Sequence, residues 1–307
     1  MSIALFFPGQ GSQFVGMGKE DYENNSIVKD LYDRAETVTG MKIKEVSFND
    51  PHKLLNRTDF TQVAIFVHSC AMFKLIEGKI NFSAVAGHSL GEYSALYASE
   101  VLGFEDCLQA VKKRGELMVK VKGGGMLAVI GAKVEDVENI VEELAEGGVI
   151  TIANYNSPIQ LVLSGEVSLL KLAEAKLRET SAKKVVWLPV SGAFHSAMME
   201  KPQDSLIKVL SKFRFNTPHC KYYSNVTGSD LDDPKEIKKL LGLQLTSSVL
   251  WYRIVQALWD DGVDTFIEVG PNKVLSGLVK RICSSARLFN VQDEKDIDNL
   301  PDDILHV

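Results

Sequence analysis

Residues 84–96 read AVAGHSLGEYSAL, a short apolar run followed by a glycine-flanked serine and a helical pattern. The apolar run that ends at Gly87 predicts a buried strand over residues 83–87, and the segment after it predicts a helix. Between them, residues 87–91 (GHSLG) have the form G-x-S-x-G, in which two glycines permit a sharp strand-to-helix turn that presents the serine hydroxyl. We therefore interpret Ser89 as a candidate nucleophile in an α/β fold; the alternative is a chance pattern in an ordinary loop.

Strands alternate with helices on both sides of this turn, which is typical of an α/β domain with a mostly parallel sheet. Strands are predicted at 3–7 (IALFF) and 263–269 (VDTFIEV), and helices at 60–76, 90–100, 105–122 and 272–283. The G-x-S-x-G turn makes this domain α/β-hydrolase-like. We assign residues 1–124 and 192–290 to it.

The segment 125–191 has a different pattern, β-α-β-β-α-β, which is the order of a ferredoxin-like unit. Its strands are predicted at 126–131, 149–155, 159–164 and 183–190, and its helices at 133–146 and 168–180. We predict that this small domain is inserted into the larger one through a flexible joint at residues 123–125 (GGG). Residues 291–307 are acidic and are predicted to form a peripheral C-terminal tail.

Composition excludes several classes of protein. The chain of 307 residues has 34 basic and 40 acidic side chains and a net charge of −6, which argues against a nucleic-acid partner. Its four cysteines are far apart and form no C-x-x-C pair, so neither a metal site nor a disulfide framework is expected. We found no signal-peptide pattern and no stretch approaching the roughly 20 apolar residues that span a bilayer, and so predict a cytoplasmic protein without a membrane partner.

A serine needs a base to become nucleophilic, and six histidines are available. His88 neighbours Ser89, but side chains diverge on a sharp turn, so we do not expect it to be the base. His68 lies in an apolar helix and is expected to be a core residue. His195 follows a predicted strand in residues 191–196 (SGAFHS) and is the preferred candidate, because catalytic groups are commonly mounted on such loops.

The loop 7–13 (FPGQGSQ) also leaves a strand end, and its two glycines bring its backbone close to the region above the sheet. We interpret it as a second wall of the site, with the amide of Gln10 in an oxyanion hole. The alternative is a flexible or phosphate-binding loop, although the spacing of a P-loop is absent.

Four motifs in order, PGQGSQ (8–13), GHSLGEY (87–93), RGxxM (114–118) and AFHS (193–196), resemble those of malonyl-CoA:acyl carrier protein transacylases over about residues 1–285. The resemblance implies that Ser89 is acylated and that His195 is its base and then its acid. It also implies that the carbonyl of Gln244 orients the imidazole, and that the amides of Gln10 and Leu90 form the oxyanion hole. The family often has Asn-Pro where this chain has Ser-Ser at 247–248, so the resemblance does not imply the shape of that loop.

The same resemblance implies a malonyl substrate. Arg114 would hold the malonyl carboxylate, because a guanidinium can bind a carboxylate through two parallel hydrogen bonds. Phe194 would fill the space beside the malonyl methylene and disfavour methylmalonyl. Met118, Gln62 and Asn156 match positions near the pocket, and each could equally be structural.

We therefore expect a monomeric acyltransferase that moves malonyl from malonyl-CoA to an acyl carrier protein and needs no cofactor or metal. The form of residues 191–196 favours a discrete, trans-acting polyketide enzyme over fatty-acid synthesis. Two alternatives are a hydrolase of carrier-bound acyl chains and a non-catalytic docking protein on the same fold.

Overall fold

The computed structural model describes residues 2–190 and 192–305. Ser191, where the predicted small domain ends, and His306 in the predicted tail lie outside the described residues, as do Met1 and Val307. The strands are β1 Ile3–Phe7, β2 Ala84–Gly87, β3 Gly124–Ile130, β4 Ile150–Ser157, β5 Gln160–Glu166, β6 Lys184–Trp187, β7 Lys221–Tyr223, β8 Asp230–Leu231, β9 Thr265–Val269 and β10 Arg287–Val291. The helices are α1 Lys19–Asn24, α2 Ser26–Thr39, α3 Ile43–Phe48, α4 Thr58–Ile76, α5 Gly91–Ala98, α6 Phe104–Met118, α7 Val134–Ala145, α8 Val167–Leu177, α9 Glu200–Leu210, α10 Pro234–Leu243, α11 Trp251–Asp260, α12 Val274–Ile282 and α13 Glu294–Asp298.

The larger sheet has the strand order β10-β9-β1-β2-β7-β8, and every pair in it is parallel except β7 with β8. All five residues of β1 are buried, because both faces of the sheet are covered. Leu5 and Phe7 pack with α4 on one face, whereas Ala4 and Phe6 pack with α11 and α12 on the other. The predicted mostly parallel α/β fold is confirmed.

Strands β1 and β2 are neighbours, and their carboxyl ends lie together, with Phe7 paired to Gly87. The loops that follow them, 8–13 and 88–90, therefore meet at one edge of the sheet. This is where ligands bind in open α/β sheets. The topology thus brings two of the sequence motifs to one place.

Helix α4 is the longest helix of the large domain and runs through its core. By length and composition it is apolar enough to cross a membrane, but 83% of its most apolar window is buried inside the fold. The expectation that no stretch approaches membrane-spanning length was therefore wrong. The burial identifies α4 as the core helix of a globular domain rather than as a membrane span.

The smaller sheet is antiparallel in the order β4-β5-β3-β6, with α7 and α8 packed on one face. This is the strand order of a ferredoxin-like unit, in agreement with the predicted pattern. The predicted flexible joint was wrong in part, because Gly124 and Gly125 are the first residues of β3. A Cβ on Gly124 would lie 2.6 Å from the Cβ of Ala193, so this glycine permits close packing beside the histidine loop.

The C-terminal segment is not the peripheral tail that its acidic composition predicts. Val291 ends the edge strand β10, and Ile297, Leu300 and Ile304 are buried against the large domain. The main-chain carbonyl of Gln292 also lies 2.9 Å from Nε2 of the buried His68. A few well-spaced apolar side chains are enough to anchor an otherwise acidic segment, so residues 291–305 belong to the large domain.

Candidate active site

Ser89 sits on the sharp turn between β2 and α5 with a positive φ of 51°. This left-handed conformation is strained for a serine and is characteristic of a residue held for function. The flanking glycines make the turn possible: a Cβ on Gly87 would lie 1.9 Å from the backbone of Gly91, and a Cβ on Gly91 would lie 1.9 Å from the carbonyl oxygen of Phe7. Only glycine fits at either position, as G-x-S-x-G predicts.

His195 meets Ser89 across the cleft, although 105 other residues separate them in the chain. The Oγ of Ser89 lies 2.8 Å from Nε2 of His195. On the other side of the ring, Nδ1 lies 2.8 Å from the carbonyl oxygen of Gln244 and 3.1 Å from that of Ser247. Carbonyl oxygens only accept, so Nδ1 carries the proton and Nε2 is left to accept the proton of Ser89.

The loop with Ser-Ser at 247–248 therefore directs two carbonyls at the imidazole. The hydroxyl of Ser248 donates to the carbonyl of Ile152 in β4 at 2.6 Å, and the hydroxyl of Ser247 donates to the carbonyl of Leu243 at 2.9 Å. These bonds tie the loop to the small domain and to the end of α10. Without the Asn-Pro that is common in the family, the loop is held in shape by the hydrogen bonds of its two serine side chains.

His88, which is half-buried, and His68, which is buried, have partners other than the hydroxyl of Ser89. Nε2 of His88 pairs with Oδ1 of Asn156 at 2.8 Å, and its ring lies against Trp251. His68 is fully buried, with the hydroxyl of Tyr32 3.3 Å from Nδ1. Within the described residues, neither ring forms a hydrogen bond with the hydroxyl of Ser89, as expected from the sequence.

His195 is buried, and this burial lowers its pKa to about 3. The positive charge of Arg114 lowers the pKa further, whereas the hydrogen bond to the carbonyl of Gln244 opposes the shift. The imidazole is therefore neutral, and able to accept a proton, throughout the physiological range.

We expect the acylation of Ser89 to be nearly independent of pH between 5 and 8, because His195 stays neutral across this range. A histidine with the ordinary pKa of 6.5 would be neutral in only about one molecule in thirty at pH 5. Single-turnover acylation followed by rapid quenching should give rates at pH 5 and 7.5 within about twofold of each other. A fall of more than about tenfold at pH 5 would show an unshifted histidine.

Arg114 projects from α6 into the same site and is 1% exposed. Its Nη1 donates to Oε1 of Gln62 at 2.9 Å, and its Nη2 donates both to Oγ of Ser89 and to Oε1 of Gln244, each at 3.0 Å. Burial lowers the pKa of the guanidinium. Within the described residues no carboxylate forms an ion pair with it, so the site holds a buried positive charge beside the nucleophile.

A cavity of about 300 Å³ opens between the two domains above Ser89. The predicted residues Gln10, Gln62, Met118, Asn156 and Phe194 all line it. The small domain contributes further walls from β3, β4 and β5, and α12 contributes apolar side chains. Phe194, 5% exposed, lies beside His195, where it can limit the width of a bound acyl group.

The amides of Gln10 and Leu90 are the predicted oxyanion donors. Leu90 precedes α5, and Gln10 lies in the loop that follows β1, so both belong to the edge where Ser89 sits. Among residues 2–190 and 192–305, neither N–H donates a hydrogen bond. Backbone N–H groups that have no other acceptor can donate to a bound carbonyl oxygen and stabilise negative charge on it. The N–H of Leu90 also lies at the start of a helix, which favours negative charge.

Two buried residues of the site were missed from the sequence. Asn225 accepts from the N–H of Ser89 through Oδ1 at 2.7 Å and donates to the carbonyl of Gly87 through Nδ2 at 2.7 Å, so it fixes both ends of the turn. Glu92 lies one helical turn below the nucleophile, fully buried. It stands in the quoted motif GHSLGEY, which was the available signal, whereas Asn225 stands only in residues 225–227 (NVT), an N-x-T pattern that indicates nothing about a turn.

The described residues contain no cluster of three or more His, Cys, Asp or Glu side chains that could hold a metal ion. The four cysteines are unpaired, and three of them are buried.

Comparison with known proteins shows similarity to acyl transferases over nearly the whole chain. Residues 5–301 match the acyl transferase domain family, so the match extends beyond residue 285, where we expected it to end. The malonyl CoA-acyl carrier protein transacylase of Bacillus subtilis is 38% identical over 301 residues, covering 96% of this chain and 95% of that protein. The crystal structure of an acyl carrier protein S-malonyltransferase from Vibrio cholerae superposes with a TM-score of 0.94 at 36% identity, covering 98% of this chain and 100% of the other.

A third similar structure is a complex. It contains a type II polyketide synthase acyl-carrier protein with its malonyl-transacylase, and the match has a TM-score of 0.94 at 32% identity, covering 97% of this chain and 98% of the other. The family match, the sequence identity and the shared fold lead to one conclusion: the chain belongs to the acyl transferase domain family.

Proposed function

We propose that this protein transfers a malonyl group from malonyl-CoA to the phosphopantetheine thiol of an acyl carrier protein, through a malonyl ester on Ser89. The observation that carries the proposal is the buried guanidinium of Arg114, 3.0 Å from the hydroxyl of a serine that is paired with a neutral histidine. A malonyl thioester bound with its carbonyl at Ser89 presents its free carboxylate to that charge. The similar proteins named above, which include malonyl transferases, support the assignment.

In the first half-reaction, Nε2 of His195 accepts the hydroxyl proton as Oγ of Ser89 attacks the thioester carbonyl. The tetrahedral oxyanion accepts hydrogen bonds from the amides of Gln10 and Leu90. Collapse of the intermediate breaks the carbon–sulfur bond, and the imidazolium returns its proton to the departing thiolate. Coenzyme A leaves, and malonyl stays on Ser89.

The second half-reaction runs the same steps with another thiol. The thiol of the carrier protein gives its proton to His195 and attacks the malonyl ester. The second tetrahedral intermediate then expels Oγ of Ser89, which regains its proton from the imidazolium. One serine and one histidine thus serve both directions, which is ping-pong acyl transfer.

Arg114 and the Ser89–His195 pair each argue against one of the two alternatives. A hydrolase of uncharged acyl chains would have to bury those chains against an unpaired guanidinium, which is unfavourable. A docking protein would not need a neutral, oriented imidazole 2.8 Å from a strained serine. We further propose that the protein acts as a monomer without a cofactor, because one chain already supplies Ser89, His195 and Arg114. A cytoplasmic location is a separate part of the proposal.

The proposal is tested by giving the enzyme malonyl-CoA together with a holo carrier protein and measuring malonyl-carrier protein, free malonate and coenzyme A. We expect malonyl-carrier protein to be the main product, and none to form with the apo carrier protein, which lacks the phosphopantetheine thiol. Release of free malonate in step with coenzyme A, without loading of the holo carrier, would instead identify a hydrolase.

A further inference from the structure

Glu92 is a fully buried carboxylate with no role in the chemistry above. Its Oε1 accepts from the hydroxyl of Tyr222 at 2.6 Å and from the backbone N–H of Asn225 at 3.1 Å. Its Oε2 accepts from Nε2 of Gln244. Every neighbour in this set presents a donor to the carboxylate, which is how a buried carboxylate becomes acceptable in a fold.

The side-chain amide of Gln244 lies between this carboxylate and the acyl site. Its Nε2 also donates to the carbonyl of Ser89 at 2.9 Å, and its Oε1 accepts from Nη2 of Arg114 at 3.0 Å. An arginine only donates and a carboxylate only accepts, so these two neighbours permit one orientation of the amide. The amide oxygen must face Arg114, and the amide nitrogen must face Glu92.

We propose that Glu92 is a positioning residue for malonyl recognition: by fixing the orientation of the Gln244 amide, it holds Arg114 at the place where the substrate carboxylate binds. The same amide bonds the carbonyl of Ser89, so the carboxylate clamp and the nucleophile are held by one group. This inference rests on the proposed malonyl transfer and adds a residue to it.

The Glu92→Gln variant tests this orientation directly. The backbone N–H of Asn225 requires an oxygen on its side, so the new amide places its NH₂ toward Gln244. Two NH₂ groups then face each other, and the amide of Gln244 must rotate to present its oxygen to residue 92. That rotation turns its NH₂ toward Arg114, which can only donate, so the guanidinium is expelled from its position.

Tyr222→Phe is the matched control. It removes the 2.6 Å hydrogen bond to the same carboxylate but leaves the orientation of the Gln244 amide unchanged. Both variants disturb the buried network, but only Glu92→Gln reverses the amide. Glu92→Gln also removes the negative charge that acts on Arg114, which Glu92→Asp retains. A purely structural loss lowers the active fraction equally for every substrate, whereas a displaced Arg114 changes the preference between substrates.

The measured quantity is the ratio of kcat/KM for malonyl-CoA to kcat/KM for acetyl-CoA, with holo carrier protein as acceptor. We expect Glu92→Gln to lower this ratio by about tenfold or more, the size of one lost hydrogen bond to a charged group, with a raised KM for malonyl-CoA. Tyr222→Phe should leave the ratio within about twofold of the wild-type ratio.

An unchanged ratio in folded Glu92→Gln, or an equal fall in the ratio for Tyr222→Phe, would overturn the inference. If Glu92→Gln does not fold, Glu92→Asp keeps the charge but shortens the reach to Gln244, and the ratio should then fall in the same direction. In a Gln244→Ala background, Glu92→Asp should no longer change the ratio, since the amide through which it acts is gone. Wild-type enzyme without malonyl transfer would contradict the proposed function instead.

Discussion

Replacing His195 with alanine is expected to slow acylation of Ser89 by malonyl-CoA by about 10³-fold or more, because no other group accepts the hydroxyl proton. The imidazole lies 2.8 Å from Oγ and is oriented by two carbonyls, whereas the remaining neighbour of the hydroxyl, Arg114, can only donate. Rapid-quench measurement of the malonyl adduct gives the rate directly. The folded state is checked by the melting temperature.

The matched control is His88→Gln, which replaces the histidine adjacent to Ser89 in sequence. Glutamine can still hydrogen-bond Asn156, the partner that His88 contacts at 2.8 Å. We expect this variant to keep more than about a tenth of the acylation rate, since its side chain does not serve as the base. If His88→Gln lost as much as His195→Ala, the assignment of the base would be wrong.

Replacing Arg114 with alanine is expected to lower kcat/KM for malonyl-CoA by about 10²-fold, while kcat/KM for acetyl-CoA changes much less. Malonyl loses the guanidinium that binds its carboxylate, whereas acetyl has no charge to lose. The preference between the two should therefore collapse. Competition between malonyl-CoA and acetyl-CoA for one enzyme sample measures this preference without depending on the active fraction.

The same variant has a second, independent effect on pH dependence. The positive charge of Arg114 helps to lower the pKa of His195, so its removal should raise that pKa toward the ordinary value. The acid limb of the acylation rate should then move to higher pH than in the wild type. Arg114→Lys keeps a charge but not the planar fork, and should therefore keep more of the low-pH activity than of the malonyl preference.

The sequence predicted most of this site because its parts lie in short motifs with a local physical reason. G-x-S-x-G specifies the turn through two glycines, because any larger side chain at either position would clash with the backbone. The structure places Ser89 in this turn, as expected. Arg114 and His195 follow from chemistry and from the family resemblance. Their distances to Ser89 could not be read from the chain, because an inserted domain separates His195 from the turn.

The residues that were missed act through tertiary contacts. Asn225 reaches the turn from the segment after β7, and the only local pattern around it, N-x-T at 225–227, does not predict this contact. Glu92 was in view within a quoted motif, but an acidic residue in the first turn of a helix is ordinarily a surface residue that favours the helix dipole. Its complete burial and its network become apparent only when the fold brings Tyr222 of β7 and Gln244, which follows α10, to its carboxylate.

The C-terminal segment shows where prediction from amino-acid composition fails. Its composition is acidic and predicts a solvated tail, but three apolar side chains, Ile297, Leu300 and Ile304, are spaced to reach the core. Three apolar side chains change the average composition of the segment too little to predict that it is buried. The mistaken glycine joint has a similar cause, since Gly124 and Gly125 are small to let strands and loops approach, and small residues that permit packing look like residues that permit motion.

The central claim is that Ser89 carries the malonyl group between donor and acceptor. Intact-mass spectrometry of the enzyme after mixing with malonyl-CoA alone, followed by peptide mapping, tests it most directly. The predicted result is a gain of one malonyl group on the peptide containing Ser89, absent in Ser89→Ala and removed when a holo carrier protein is added. A wild-type enzyme that gains no malonyl group, or a Ser89→Ala variant that still becomes malonylated and loads the carrier, would contradict it.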